Sequence, residues 1–476
     1  MRSPVMRKAI LLLIATTLAG CVDMAPPHER PPLATAADYP AEFAGGATPG
    51  QRATDIAWRD FFADPRLEML IAQAIAHNRD LAVAVAQIEE ARGLYRIQAA
   101  DRLPTVGASA DAARTRGPSV TGVGTDTTSR YSVGVGVTSF ELDFWGRVRN
   151  LSEAARSQYL ATEAAERTFR LALVRDVAST YFASRGAEEQ IQLAEATVAS
   201  RKEGLRIARR RLDAGVTSAL DYRQSETLLT QAETQLASLK LGKAQADNFL
   251  AVLTGGPVSE PLLAPLPLVA QAGAPALTAG LPSDLLVARP DIVATEERLR
   301  AARANVGAAR AAFFPSISLT GSFGFASGAL DDLFGDDGMT WTFGPSISLP
   351  IFDFGRRQGN LTVAEAREDI AVAAYERTVQ GAFREVADAL AGRRYLAEQV
   401  EAQERGTLAT RQIADLARKR YREGVSTYLE VLDAERNLFA AEQTLIELRR
   451  AQVDNLVTLY VALGGGLVER AGSAAR

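Results

Sequence analysis

The chain has 476 residues, sets 53 basic against 57 acidic side chains for a net charge of -4, and contains one cysteine. That balance gives no general attraction to nucleic acid, and a lone thiol excludes an intramolecular disulfide, so stability must come from packing and assembly. With only His28 and His77, and no Cys pair, His-x-x-x-His, phosphate loop or Gly-x-Ser-x-Gly elbow, neither an enzyme nor a metal or cofactor site is expected.

Residues 1–20 read as a secretory signal, because Arg2, Arg7 and Lys8 precede an apolar run, Ala9 to Ala15, that is too short to span a bilayer. Leu18-Ala19-Gly20-Cys21 resembles the lipobox of bacterial lipoproteins, which implies a mature chain starting at acylated Cys21. Val22 stands where an Asp would favour retention in the inner membrane, which points to the outer membrane. After the signal there is no run of about 18 apolar residues, so any membrane-spanning part must be β-barrel.

The segment 21–62 is rich in Pro, Gly and Ala over much of its length and carries no motif chemistry. From residue 63 the chain says everything twice, at offsets of about 209 to 211 residues. Gly215-Val216-Thr217 pairs with Gly424-Val425-Ser426, Asp143-Phe144 with Asp353-Phe354, Pro104 with Pro315, and Asp80-Leu81 with Asp291-Ile292. Repeat 1 covers 63–253 and repeat 2 covers 290–463, joined by a Pro-rich linker at 254–289.

Each repeat opens with an Ala-rich helical pattern, from about Pro65 to Arg102 and from about Pro290 to Phe314, which Pro104 and Pro315 end. Period two follows in the predicted hairpins 104–145 and 315–354. Ile317, Leu319, Phe323 and Phe325 alternate with serine, threonine and glycine, and so do Tyr131, Val133, Val135 and Val137. An apolar face backed by a small polar one fits a transmembrane strand with lipid on one side and water on the other. A half-buried hairpin on a soluble core gives the same alternation, but no other strand-rich region exists to pair with it.

Four strands cannot close a barrel, and open edges are not tolerated in lipid, so copies of the chain must share one wall. Two copies would give eight strands and a lumen filled by side chains, so a conduit favours three or more.

Proline-free helical runs then cover 147–212 and 356–422, about 65 residues and on the order of 100 Å each. Ile191, Ala194, Val198, Leu205, Ala208 and Leu212 keep coiled-coil spacing, interrupted by Arg201. Gly215 and Gly424 break these helices, and return helices follow at 219–253 and 427–463. The end, 464–476, starts with three glycines and reads as a frayed tail. A coiled-coil envelope scaffold without a lumen is the rival from another class, and periodicity alone does not separate the two.

Four segments carry a family resemblance. They are Trp58-Arg59-Asp60-Phe61-Phe62-Ala63-Asp64-Pro65, Ala288-Arg289-Pro290-Asp291-Ile292, Phe314-Pro315-Ser316-Ile317-Ser318-Leu319 and Tyr428-Leu429-Glu430-Val431-Leu432-Asp433-Ala434-Glu435-Arg436. With the duplication they resemble the TolC-like outer-membrane factors, in particular the lipoprotein (NodT/OprM-like) branch that serves resistance-nodulation-division pumps.

The resemblance implies a mixed α and β fold and a homotrimer. Its parts would be a shared twelve-stranded β-barrel, a periplasmic α-helical barrel, and an equatorial belt built from the N-terminal segment, the linker and the C-terminus. It implies efflux of small molecules with a periplasmic adaptor and an inner-membrane pump as partners, though export of protein or oligosaccharide is not distinguished by sequence. It also implies a periplasmic gate at the helical turns. Asp221, Glu430 and Asp433 fall where relatives hold acidic gate residues, Leu429 matches a constricting leucine, and Tyr421 resembles a gate tyrosine. Ser426 stands where one subgroup has a gate arginine, leaving Arg420 or Arg422 as substitutes. Glu430 and Asp433, three apart on a helix, share a face, and symmetry would repeat them into a cation-favouring ring.

Overall fold

The computed structural model describes residues 23–32, 35–36, 39–44, 51–118, 124–257, 263–271, 277–278 and 285–468. The expected secretory signal and Cys21 lie outside the described residues. In chain order the main elements are α1 (Pro65–His77), α2 (Arg79–Ala100), β1 (Val106–Pro118), β2 (Thr125–Glu141), α3 (Arg147–Asp213) and α4 (Ala219–Leu253). The second repeat gives α5 (Pro290–Ala311), β3 (Ser316–Ser327), β4 (Met339–Ser348), α6 (Arg356–Arg422) and α7 (Tyr428–Ala462). Among the described residues no helix is long and apolar enough to cross a membrane.

The chain divides into two units. The first holds residues 1–32, 87–163 and 294–376, and its centre is a four-stranded antiparallel sheet in the order β1-β2-β3-β4, with β1 and β4 as edges. The register explains why alternation in the sequence becomes a two-faced wall. One rung runs Ala108, Val135, Phe323, Trp341, the next Ala110, Val133, Phe325, Met339. Between them on the other face lies Ser109, Gly134, Gly324, Thr340. On that face a Cβ at Gly324 would stand 2.3 Å from the Val133 carbonyl oxygen, so a side chain there would drive β2 and β3 apart. The apolar face is bare within one copy, with Trp341 71% and Phe343 65% exposed.

Strand-to-helix turns are built alike in both repeats. Asp143 accepts the Arg149 amide at 2.7 Å, and Asp353 accepts the Arg357 amide at 3.2 Å and its guanidinium at 2.7 Å. Gly146 and Gly355 take φ of 73° and 84°, the left-handed region where glycine carries no Cβ penalty. The stretch after Cys21 is strapped to the same unit. Asp23 accepts from Asn150 at 3.0 Å, and Glu296 accepts from His28 at 3.2 Å, from Arg30 at 3.1 Å and from Arg300 at 2.8 Å. Burial would raise the Glu296 carboxyl, but the bonds from Arg30 and His28 outweigh it and hold the group below its ordinary value.

The second unit holds residues 33–86, 164–293 and 377–476 and consists mainly of helices. Near its tips Val198 packs with Leu229 and Ala232, and Ala414 and Ala417 pack with Val431 and Ala434, so each long helix is zipped to its own return helix. Elsewhere the Trp58-to-Pro65 segment makes a knot. Phe61 stacks on Tyr460 at 3.9 Å, Tyr460 donates to the Ile56 carbonyl at 2.7 Å, and Trp58 is 1% exposed. Asp64 is fully buried and caps α1 by accepting from the Arg66 amide at 2.9 Å. Its other oxygen accepts from the Tyr181 hydroxyl at 2.6 Å, Gln271 at 2.7 Å and the Leu266 amide at 3.1 Å. Burial, and then the bond to Asp64, push the Tyr181 phenol well up.

Two expectations need correction. The helix predicted from Pro65 to Arg102 is broken at Asn78, an extended residue that ends α1. Its side chain accepts the Leu81 amide at 2.8 Å and donates to the Leu253 carbonyl at 2.9 Å, so one buried amide serves the start of α2 and the end of α4. The C-terminal segment is not frayed up to residue 468. Gly464 to Gly466 are buried, a Cβ at Gly465 would stand 2.3 Å from the Tyr460 ring, and the Val468 carbonyl accepts the Trp58 amide at 3.1 Å.

Candidate functional site at the helical tips

All the predicted gate residues lie in the second unit, at the two turns that join α3 to α4 and α6 to α7. Both turns begin with one device. The Gly215 and Val216 amides return to the Leu212 and Arg211 carbonyls, and those of Gly424 and Val425 return to the Tyr421 and Arg420 carbonyls. Both glycines sit at φ 72°, so this helix-ending motif needs a residue free to turn left-handed.

Beyond the glycines the two tips diverge. At the first, Asp221 and Ser218 form a reciprocal capping box, and the Thr217 hydroxyl donates to Asp221 at 2.7 Å. The Thr217 bond, helped against burial by the Ser218 bonds and by Arg211, holds the Asp221 carboxyl below its ordinary value. At the second, Thr427 makes no side-chain cap bond, and Glu430, the residue that could close a box, reaches Arg420 at 3.3 Å. Asp433 pairs with Arg436 at 3.0 Å. Glu430 therefore finds in Arg420 the basic partner that Ser426 cannot supply, and Arg422 enters no ion pair among the described residues. Leu429 is 44% exposed on the first turn of α7.

A depressed carboxyl adds stability that is complete above its unfolded value, about pH 4, and is lost as pH falls through the lower folded value. Amide exchange at residues 216–222 should therefore quicken as pH drops below about 4, beyond its intrinsic pH dependence. Asp221→Ala should show the faster exchange at every pH, at a local cost of about 1 kcal/mol. Identical protection in parent and variant would remove the cap from the account.

Tyr421 is joined by groups that the motif comparison did not single out. Its ring lies 5.0 Å from that of Tyr428, with the Arg211 guanidinium 5.4 Å away. Burial pushes the Tyr428 phenol up to about 12. A Cβ at Gly204 would stand 2.7 Å from that hydroxyl, so the missing side chain makes its seat. The two tyrosines and Gly204 line a cleft of about 440 Å³ together with Arg201, Ser225 and Glu435. The signal was in the sequence, because at the repeat offset Tyr421 and Tyr428 stand opposite Leu212 and Ala219, which makes the tyrosine pair private to the second repeat.

The model of the outer membrane efflux protein family matches residues 70–256 and 281–465, one match per repeat. The chain belongs to that family. The solvent efflux pump outer membrane protein SrpC of Pseudomonas putida is 43% identical over 466 residues, covering 96% of this chain and 98% of the relative. The cation efflux system protein CusC of Escherichia coli is 39% identical, covering 96% and 99%. Among solved structures, the open state of the Neisseria gonorrhoeae MtrE outer membrane channel superposes with a TM-score of 0.86 at 40% identity, covering 95% of this chain and all of that one. The chain thus has the outer membrane efflux protein fold, and it works as a channel in the outer membrane.

Proposed function

We propose that three copies close a twelve-stranded barrel and form the passive exit duct of a tripartite system. The duct takes small molecules from a resistance-nodulation-division pump through a periplasmic adaptor, and Cys21 carries a lipid anchor. The observation that carries this reading is the sheet itself. It has rungs that are apolar on one side and small or polar on the other, ending in two unpaired edges that lipid does not tolerate. No catalytic step is assigned to the chain.

At the tips, copies of Leu429, Glu430 and Asp433 would form rings, the leucines obstructing water and the carboxylates selecting cations. Relatives of similar identity are named for solvents and for cations. This supports a duct that leaves substrate choice to the pump. The test is the full-length protein purified in detergent, weighed by light scattering and then fused into a planar bilayer. A mass of three copies with discrete conductance steps is expected, whereas a scaffold without a lumen gives none.

A further inference from the structure

The two open edges of the sheet differ in charge at the same end. On β1 the outward row Val106, Ala108, Ala110, Ala112 continues into Arg114 and Arg116, opposite Ser129 and Thr127 of β2. Arg116 donates to the Thr125 hydroxyl at 3.2 Å, and among the described residues neither guanidinium meets a carboxylate. The other edge, β4, is entered from a turn carrying Asp331, Asp332, Asp336 and Asp337, all exposed and in no ion pair among the described residues. The outward rows also differ in size, since β1 offers alanines where β4 offers Met339, Trp341 and Phe343.

We propose that the β1 edge of one copy and the β4 edge of the next form a polarised seam, with Arg114 and Arg116 facing Asp336 and Asp337, and the alanine row receiving the rings of Trp341 and Phe343. This rests on the shared barrel. Because β1 and β4 run antiparallel to each other within the sheet, a ring closed head to tail brings these edges together antiparallel, with both charged ends on the same side. Within one copy Met339 shares a rung with Ala110, so Arg114 lies about two residues, or roughly 7 Å, further toward the charged end than Asp337, and the stagger that closes the barrel sets the offset across the seam. A parallel meeting of β1 with β1 would place arginine against arginine, and a parallel meeting of β4 with β4 would gather eight carboxylates. The charges thus select the closing arrangement as well as strengthening it.

The test compares full-length protein in isolated outer membranes, following the fraction of SDS-resistant trimer against temperature. R114E/R116E and D336K/D337K are each expected to lower the temperature at which the trimer falls apart, and the fourfold variant to recover most of the loss. R114Q/R116Q, which adds no repulsion, should show a smaller decrease that disappears at high salt. Losses that merely add in the fourfold variant overturn the seam. So does a result in which R114Q/R116Q purifies with less phosphorylated glycolipid, read by native mass spectrometry, and lysines at 336 and 337 compensate nothing; the arginines would then hold lipid phosphate. A parent protein that forms no trimer would sink the shared barrel itself, while a conducting parent trimer without charge coupling sinks only the seam.

Discussion

Asp64→Ala is expected to destabilise the second unit by at least about 4 kcal/mol, because a lost helix cap costs about 1 kcal/mol and each of three further buried donors left unpaired about 1–3. The carboxylate is fully buried and accepts four bonds, from Arg66, Tyr181, Leu266 and Gln271. Removing it strands a hydroxyl, a side-chain amide and two backbone amides where water does not reach. Asp64→Asn, which keeps the shape and one acceptor oxygen, should lose less. Limited trypsin digestion of the two variants and the parent reads the difference. If the alanine variant resists as the parent does, the residue is not the centre of the knot.

Glu430→Ala should move the preference of the channel toward anions. The reason is the partner. Glu430 lies 3.3 Å from Arg420, so the acid and the base largely offset one another, and taking away the acid leaves three uncompensated guanidinium groups in a ring. Arg420→Ala should act in the opposite direction, and the double variant should return close to the parent. Asp433→Ala should shift selectivity in the same direction, because it leaves Arg436, 3.0 Å away on the same helix, without its carboxylate. Reversal potentials of single channels under a salt gradient measure all four. Equal selectivity in the parent and in Glu430→Ala would remove the acid from the conduction path.

How much of this was legible depended on whether a feature was local. The long helices could be read because a proline-free run with helical spacing has few alternatives, and the strands because period two is local as well. The rung register could not be read through the bulge between Val137 and Phe140, where the outward side changes from odd to even numbers. Asn78 looks like any polar surface residue until the Leu253 carbonyl, 175 residues later, arrives beside it. Asp64 before Pro65 announces a helix cap, but its other partners lie 117, 202 and 207 residues away. Three glycines suit a loose end as well as a tight one. Only the Tyr460 ring decides which.

At the tips, residue types placed the acids correctly on the turns but could not divide their labour. Asp221 and Glu430 are equivalent in the duplication, yet one closes a capping box and the other bridges to Arg420. A side chain one methylene longer and a threonine in place of the capping serine make the difference, since an arginine ten residues earlier, Arg211 or Arg420, is common to both tips.

The strap that joins His28 and Arg30 to Glu296 spans 268 and 266 residues of sequence. That part of the strap therefore has no docking place until more than half of the polypeptide has followed it, although Asp23, close by, already has Asn150 to bond. Its seating is among the latest events of maturation, and it can happen only in a molecule whose second repeat has been delivered and has begun to fold.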